Sequence, residues 1–333
     1  MILVITNKED VHPTTVIEIL NKRNIPVFRL NTECLLTDYE FSWWNSAGQI
    51  HFTIKNKHTG LRIDEGKLHS VWDRRPEQPK ELLFQGSKAI NKHNLDEASG
   101  FLKFLRSYIS STPSIGSILF DGYANSKMEQ ISKAILVGFL VPNTCFSNRQ
   151  EDVLSMAGSH RELVLKSIAS DGIWENDKDF EYVFYTQKVS RHDIVNAPKE
   201  AFTQTVSFVQ EYVPKAFELR VTVVAQKVFA CKIESQHLPN NQGRIDWRQG
   251  YDYGLRYVPY NLPEDISKKC IRFLNQMRLN FGAFDFIVTP SGEYVFIECN
   301  PNGQWLWIEM ETGLKISEAI ADALETCEGI TVY

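Results

Sequence analysis

Apolar runs of strand length alternate along the chain with stretches of helical period, the pattern of an α/β protein. Residues 2–6 and 25–30 are apolar runs, and His12-Pro13 before Thr14 puts a proline in the first turn of a helix between them. This predicts a βαβ opening. Strict alternation over residues 41–44 and 50–54, around Asn45 to Gly48, predicts a hairpin. A strand over 68–72 runs into Asp73-Arg74-Arg75-Pro76, a polar stretch covers 77–92, and residues 95–109 have helical period. Residues 110–116, rich in Ser, Pro and Gly, read as a linker that closes a first domain at 1–115.

A second unit, 116–213, contains an amphipathic helix over 128–140, a buried strand over 163–166 that ends in Lys166, and an alternating strand over 182–189. It closes on residues 208–214, an apolar strand interrupted by Glu211 and Pro214 that reads as a hinge. The third unit, 214–333, reads as a hairpin over 219–233 turning at 225–227, a helix over 266–279, a hairpin over 283–298 around Pro290-Ser291-Gly292, and a closing helix over 316–324. The fold class is α/β (α+β).

Composition narrows the function. The 333 residues are 43% hydrophobic and 23% charged, as in ordinary folded proteins. A net charge of −5 makes the surface as a whole no sink for nucleic acid, although a local basic cleft needs only a few cations. The apolar run over 134–141 is far short of the roughly 20 residues a membrane span needs, and Met1-Ile2-Leu3-Val4-Ile5 has no basic flank, so no membrane association and a cytoplasmic location are expected. The six cysteines form no CxxC pair, which suits buried apolar residues in a reducing compartment.

The sharpest chemical signal is Asp285 with Glu298 and Asn300, on two strands that are otherwise almost wholly apolar. A two-residue Ser291-Gly292 loop puts Asp285 opposite Glu298, with Asn300 on the same face as Glu298; a bulged loop shifts the register by one. Carboxylates among apolar residues must be paired or hold a metal, and three oxygen donors suit Mg²⁺. Lys127, in the turn before a helix, and Lys166 are phosphate-binding candidates beside such a site. Glu211, Tyr212 and Val213 form a hinge whose backbone suits an adenine edge. Glu218 is placed to reach ribose hydroxyls, and Arg220, two residues on, to hold a γ-phosphate or a carboxylate bidentately. Lys232 and Arg248 supply further cations.

Taken in order, these residues resemble the ATP-grasp superfamily over about residues 117–325, preceded by a domain similar to the pre-ATP-grasp domain. The resemblance implies Asp285, Glu298 and Asn300 as metal ligands, Lys127, Lys166, Glu211, Tyr212, Val213 and Glu218 as nucleotide contacts, and ATP and Mg²⁺ as cofactors. A narrower resemblance, to the graspetide (microviridin-type) peptide macrocyclases, rests on four segments. They are Trp72-Asp73-Arg74-Arg75-Pro76, the 213–224 segment beginning Val213-Pro214-Lys215, Asp246-Trp247-Arg248, and the 296–305 segment containing Glu298-Cys299-Asn300-Pro301-Asn302-Gly303. The sequence departs from the pattern in the glycine-poor loop after Lys166 and in the acidic 171–181 segment.

That resemblance implies activation of Asp or Glu side chains of a ribosomal precursor peptide as acyl phosphates, then closure of ω-esters to Thr/Ser or ω-amides to Lys. Arg220, Arg248 and Lys232 are the catalytic candidates. The leader of the peptide is expected on the 182–189 strand and the acids Asp171, Glu175, Asp177, Asp179 and Glu181 before it. Asp73-Arg74-Arg75-Pro76 either faces the active site or ties a homodimer together. The competing readings are a ligase that joins a separate amino acid or amine, a phosphotransferase on the same fold, and a silent peptide-binding module.

Overall fold

The computed structural model describes residues 1–116, 121–159, 162–169, 172–174, 181–238 and 243–333. The chain opens with β1 (Ile2–Thr6), α1 (Val11–Lys22), β2 (Val27–Asn31), α2 (Leu35–Asp38), β3 (Tyr39–Ser46), β4 (Gln49–Asn56), β5 (Arg62–Asp64), β6 (Ser70–Asp73), α3 (Lys88–Tyr108) and β7 (Ser114–Gly116). β1 is buried along its whole length, as a central strand of a parallel sheet must be, and the order is β2-β1-β6-β7. The hairpin expected around Asn45 to Gly48 is β3–β4, extended by β5 into a three-stranded sheet. The expected linker over 110–116 instead ends in a strand: β7 pairs with β6, Ile115 is fully buried, and Gly116 has φ +104 with no room for a Cβ against the Asp73 carbonyl. Its small polar residues serve close packing rather than slack.

Next come α4 (Asp121–Asn125), α5 (Lys127–Leu136), β8 (Thr144–Ser147), α6 (Gln150–Ser159), β9 (Leu163–Lys166), β10 (Gly172–Trp174), β11 (Glu181–Val183), β12 (Gln187–Val189), α7 (Arg191–Asn196), α8 (Glu200–Thr203) and β13 (Ser207–Glu211). Four of the strands form an antiparallel sheet ordered β12-β9-β13-β8. The helix expected over 128–140 stops at Leu136, because Gly138 turns left-handed (φ +83) and drops Phe139 into the core. The strand expected over 182–189 is broken in two. β11 pairs with β10 and β12 with β9, and between them the Thr186 N–H donates to Asp246 instead of to a ladder.

The chain closes with β14 (Phe217–Val224), β15 (Lys227–Ile233), β16 (Tyr257–Pro259), α9 (Glu264–Met277), β17 (Phe281–Val288), β18 (Tyr294–Asn300), α10 (Leu306–Thr312) and α11 (Ile316–Thr326). The antiparallel sheet runs β16-β15-β14-β17-β18. Alternation on β14 sorts its two faces. Leu219, Val221 and Val223 pack with Phe273, Leu274 and Met277 of α9, while Glu218 and Arg220 face the other way. At the far end of the sheet, Val224, Phe281, Trp305 and α11 share one core with Ile2, Val4, Val16 and Leu20 of the opening domain. The first and last parts of the chain are thus welded by apolar contact.

Trp305 is the keystone of that joint. It is fully buried, its Nε1 donates to Ser317 Oγ (2.9 Å), and it lies against His12, Trp72 and Phe281. Burial, reinforced by the Arg74 charge, pushes the His12 imidazole down from its usual range to about 4. The folded state therefore keeps His12 neutral at pH values where the unfolded chain protonates it, so this contribution is complete above about 6.5 and is lost as pH falls toward 4. The melting temperature of the wild type is expected to drop more steeply than that of H12Q between pH 6.5 and 4.5; parallel profiles contradict this assignment.

Candidate active site

A cavity of about 740 Å³ lies between the sheet of β9 and β13 and that of β14 and β17. Its acidic wall depends on a bulge. The hairpin loop has three residues, Pro290 to Gly292, not two, so Val288 faces Tyr294 and Phe286 faces Phe296. One extra residue, Ile297, then shifts the ladder and brings Asp285 opposite Glu298. Without it Glu298 would point to the opposite face. The expected pairing is therefore present, produced by a bulge rather than by the loop.

The acids are held by cations. Arg220, directly across from Asp285 on β14, donates through Nη1 to both carboxylate oxygens (2.8 and 3.0 Å). Lys127 Nζ contacts Glu298. That contact is built by Gln130, one turn further along α5: its buried side chain donates to the Cys299 carbonyl and accepts from the Cys299 N–H, so the helix docks on β18 like an added strand. Burial alone raises Glu298, but the Lys127 and Lys166 ammonium groups outweigh it and hold the carboxyl at about 2. For Asp285 burial wins, assisted by the Glu298 charge and opposed by Arg220, and its pKa lies above the usual value. Asn300 lines the same wall, its Oδ1 accepting from the Asn302 N–H (2.9 Å). Two carboxylates and an amide oxygen, one of the carboxylates firmly ionised, make a donor set that fits a hard divalent cation.

Across the cavity, Lys166 at the end of β9 donates to Gln210 Oε1 (3.2 Å), and burial lowers its pKa. Ser167, Ile168, Ala169 and Gly172 continue the lining. Glu211, Tyr212 and Val213 form the rim, with Lys188 Nζ 3.5 Å from the Tyr212 ring centroid and Asn143 donating to Glu211. Arg248 reaches the cavity while its guanidinium grips both oxygens of Asp246 (2.7 and 2.9 Å).

Two expectations change. Lys232 lies on the opposite face of β15 from Cys231, the partner of Arg220, and is absent from the cavity wall; its ammonium sits over Phe217 and pairs with Glu234. Strand alternation excludes it from the site. Glu218 does reach the wall, but its oxygens are taken by Lys215 (2.5 Å) and Ser235. Lys215, Gln210, Gln304 and Trp307 are lining residues to which the sequence gives no role, and Arg75 is one whose turn the sequence leaves open between the active site and a dimer contact. Of these, Arg75, Lys215 and Gln304 lie inside quoted motifs, and Gln210 sits one residue before the hinge. The leader candidates Asp171, Glu175, Asp177 and Asp179 lie outside the described residues, as does the side chain of Glu181.

The Lys127–Glu298 pair is only partly exposed, at 24% and 33% of the side chains. A double-mutant cycle of K127M and E298Q in thermal or urea unfolding is expected to give a coupling of about 1–2 kcal/mol, above the level of an open surface pair. Additive effects contradict the pairing.

None of the protein-family models or curated protein sequences compared matches the chain. Solved structures do. An ATP-grasp ligase associated with ribosomal peptide biosynthesis in Chryseobacterium gregarium, determined with ADP and a leader and core peptide, is 26% identical over 100% of this chain and 99% of its own, with a TM-score of 0.89. The macrocyclase MdnC of Microcystis aeruginosa, bound to precursor peptide MdnA, is 28% identical over 98% and 100%, TM-score 0.82. MdnB of the same organism, also a macrocyclase, is 26% identical over 98% and 99%, TM-score 0.76. With both chains matched end to end and the acid and lysine pattern gathered in one cavity, the protein is an ATP-dependent ligase of ATP-grasp fold, similar along its whole length to graspetide macrocyclases.

Proposed function

We propose that the chain activates Asp or Glu side chains of a ribosomally made precursor peptide with ATP and closes macrocycles within that peptide. One observation carries this reading: two carboxylates on a bulged hairpin share a cavity with two phosphate-type lysines and three arginines, in a fold whose similar structures hold ADP and leader, core or precursor peptides. The first unit, 1–115, precedes a central unit, 116–213, and a C-terminal unit, 214–333, with the nucleotide between the last two.

In this proposal Lys127 and Lys166 bind nucleotide phosphates, and residues 211–213 border the adenine. Asp285, Glu298 and Asn300 hold Mg²⁺, which when bound neutralises charge on the transferring phosphoryl group. Glu218 acts as support for Lys215 rather than as a ribose contact. Arg220 and Arg248 align the substrate carboxylate. A carboxylate oxygen attacks the γ-phosphorus, the bond to the β–γ bridging oxygen breaks, and ADP leaves. A Thr or Ser hydroxyl, or a Lys amine, then attacks the acyl carbon; the carbon–oxygen bond to phosphate breaks, inorganic phosphate departs and the nucleophile loses its proton. The edge strand β12 and the neighbouring β11 are proposed as the leader contact.

Among the described residues no helix is long and apolar enough to cross a membrane. A cytoplasmic setting and a homodimer belong to the proposal. Light scattering is expected to give twice the mass of one chain, and a monomer at micromolar concentration contradicts the dimer.

Incubation with ATP, Mg²⁺ and the precursor peptide encoded beside the gene is expected to yield a peptide lighter by one water per ring. A peptide heavier by phosphate identifies a phosphotransferase, and one heavier by an added residue identifies an intermolecular ligase. Absence of dehydrated product overturns the macrocyclase reading.

A further inference from the structure

The Asp73-Arg74-Arg75-Pro76 turn leaves the end of β6 and carries two arginines with different fates. Asp73 is consumed internally by Arg106 (2.7 Å). Arg74 is buried: Nε donates to Asp10 (3.0 Å), Nη1 to the carbonyls of Asn302 and Gly303 (2.6 and 3.1 Å), and its guanidinium carbon lies 4.9 Å from the Trp305 ring centroid. Its charge and geometry are committed to joining the first and last parts of the chain.

Arg75 is placed otherwise. Its backbone is left-handed, φ +51, immediately before Pro76, a conformation that costs a non-glycine residue roughly 1–2 kcal/mol. The turn is pinned by Asn7, whose Nδ2 donates to the Arg75 carbonyl (2.8 Å) and whose Oδ1 accepts from the Asp10 N–H. The result is that the side chain, half-buried, enters the ligase cavity. There its Nε donates to the Asn302 carbonyl (3.1 Å), and the Asn302 N–H in turn is held by Asn300, so Arg75 is tied to the strand end that carries the proposed metal ligands.

The charges of the cavity are otherwise largely spent. Lys127 pairs with Glu298, Arg220 with Asp285, Arg248 with Asp246 and Lys215 with Glu218. Among the described residues, the lining cations without a carboxylate within 4.0 Å are Lys166 and Arg75. Lys166 stands on the nucleotide side. Burial lowers the Arg75 pKa, the Asp10 carboxylate works against that and the Arg220 charge adds to it; with Asp10 already bonded to Arg74 and only a carbonyl accepting from its own Nε, the Arg75 guanidinium has room for a further anion.

We propose that Arg75, supplied by the N-terminal domain, binds the peptide side-chain carboxylate that is to be activated, working beside Arg220. The inference rests on the ligase reading. A planar fork on a strained, clamped turn presents a carboxylate in one orientation, and Arg74 keeps that turn fixed against residues 302–303. The pre-ATP-grasp domain is then a supplier of substrate recognition as well as a packing partner.

The test is a double-mutant cycle on binding. Wild type, R75Q and R75K are titrated, with Mg²⁺ and a non-hydrolysable ATP analogue, with the precursor peptide and with a precursor whose core Asp and Glu are Asn and Gln. Wild type is expected to prefer the acidic peptide by about tenfold or more, R75Q to lose most of that preference, and R75K to keep part of it. All three are expected to bind the amide peptide and the nucleotide analogue equally, and in turnover R75Q raises the KM for peptide but not for ATP. An undiminished preference in R75Q, or no preference in wild type, overturns the inference. Loss of amide-peptide or nucleotide binding in R75Q assigns Arg75 a structural role and also overturns it. A wild type that makes no dehydrated product fails the ligase reading instead, so the two failures are told apart.

Discussion

Two carboxylates on an otherwise apolar hairpin cannot be left in a cavity wall without cations, and that requirement organises the active half of the molecule. Asp285 takes Arg220 from the adjacent strand, and Glu298 takes Lys127 from a helix that must dock close by. The docking device is Gln130, which copies a strand partner for Cys299 and brings α5 onto the edge of β18. Lys166 arrives from the central sheet and helps hold Glu298 ionised. One electrostatic debt thus draws three sheet or helix elements to one point, and the cavity proposed to hold phosphates and a metal follows.

The joint at the other end is apolar. Trp305, five residues past Asn300, closes a core shared by β1, α1 and α11, and Arg74 seals it through Asp10 and the carbonyls of Asn302 and Gly303. The loop after the proposed metal ligands is therefore positioned by the N-terminal domain. Removing that domain would unpack the core and release the loop together.

Much of this was legible in the residues. The βαβ opening, the hairpins of β3–β4, β14–β15 and β17–β18, and the acid pattern at Asp285 and Glu298 are written in periodicity and in carboxylates among apolar neighbours. What escaped depended on geometry that pattern does not encode. The bulge at Ile297 sets which face Glu298 takes. The Ser/Pro/Gly stretch before residue 117 hid β7, because small residues serve close packing as well as flexible linkers. Lys232 was grouped with Arg220 by proximity in sequence, yet alternation puts it on the opposite face of the sheet. Glu218 looked free for a ligand and is bound by Lys215, which local sequence does not announce. The sequence leaves the Asp73–Pro76 turn open between the active site and a dimer contact, and the positive φ of Arg75, which no side-chain pattern demands, brings its side chain to the cavity.

The central claim is that the Asp285–Glu298 wall binds nucleotide through a divalent cation. Calorimetric titration of ADP into wild type and into a folded D285N/E298Q protein, each with and without Mg²⁺, tests it most directly. The account predicts that Mg²⁺ strengthens ADP binding by wild type and has no such effect on the double variant. Equal Mg²⁺ enhancement in both proteins would contradict it.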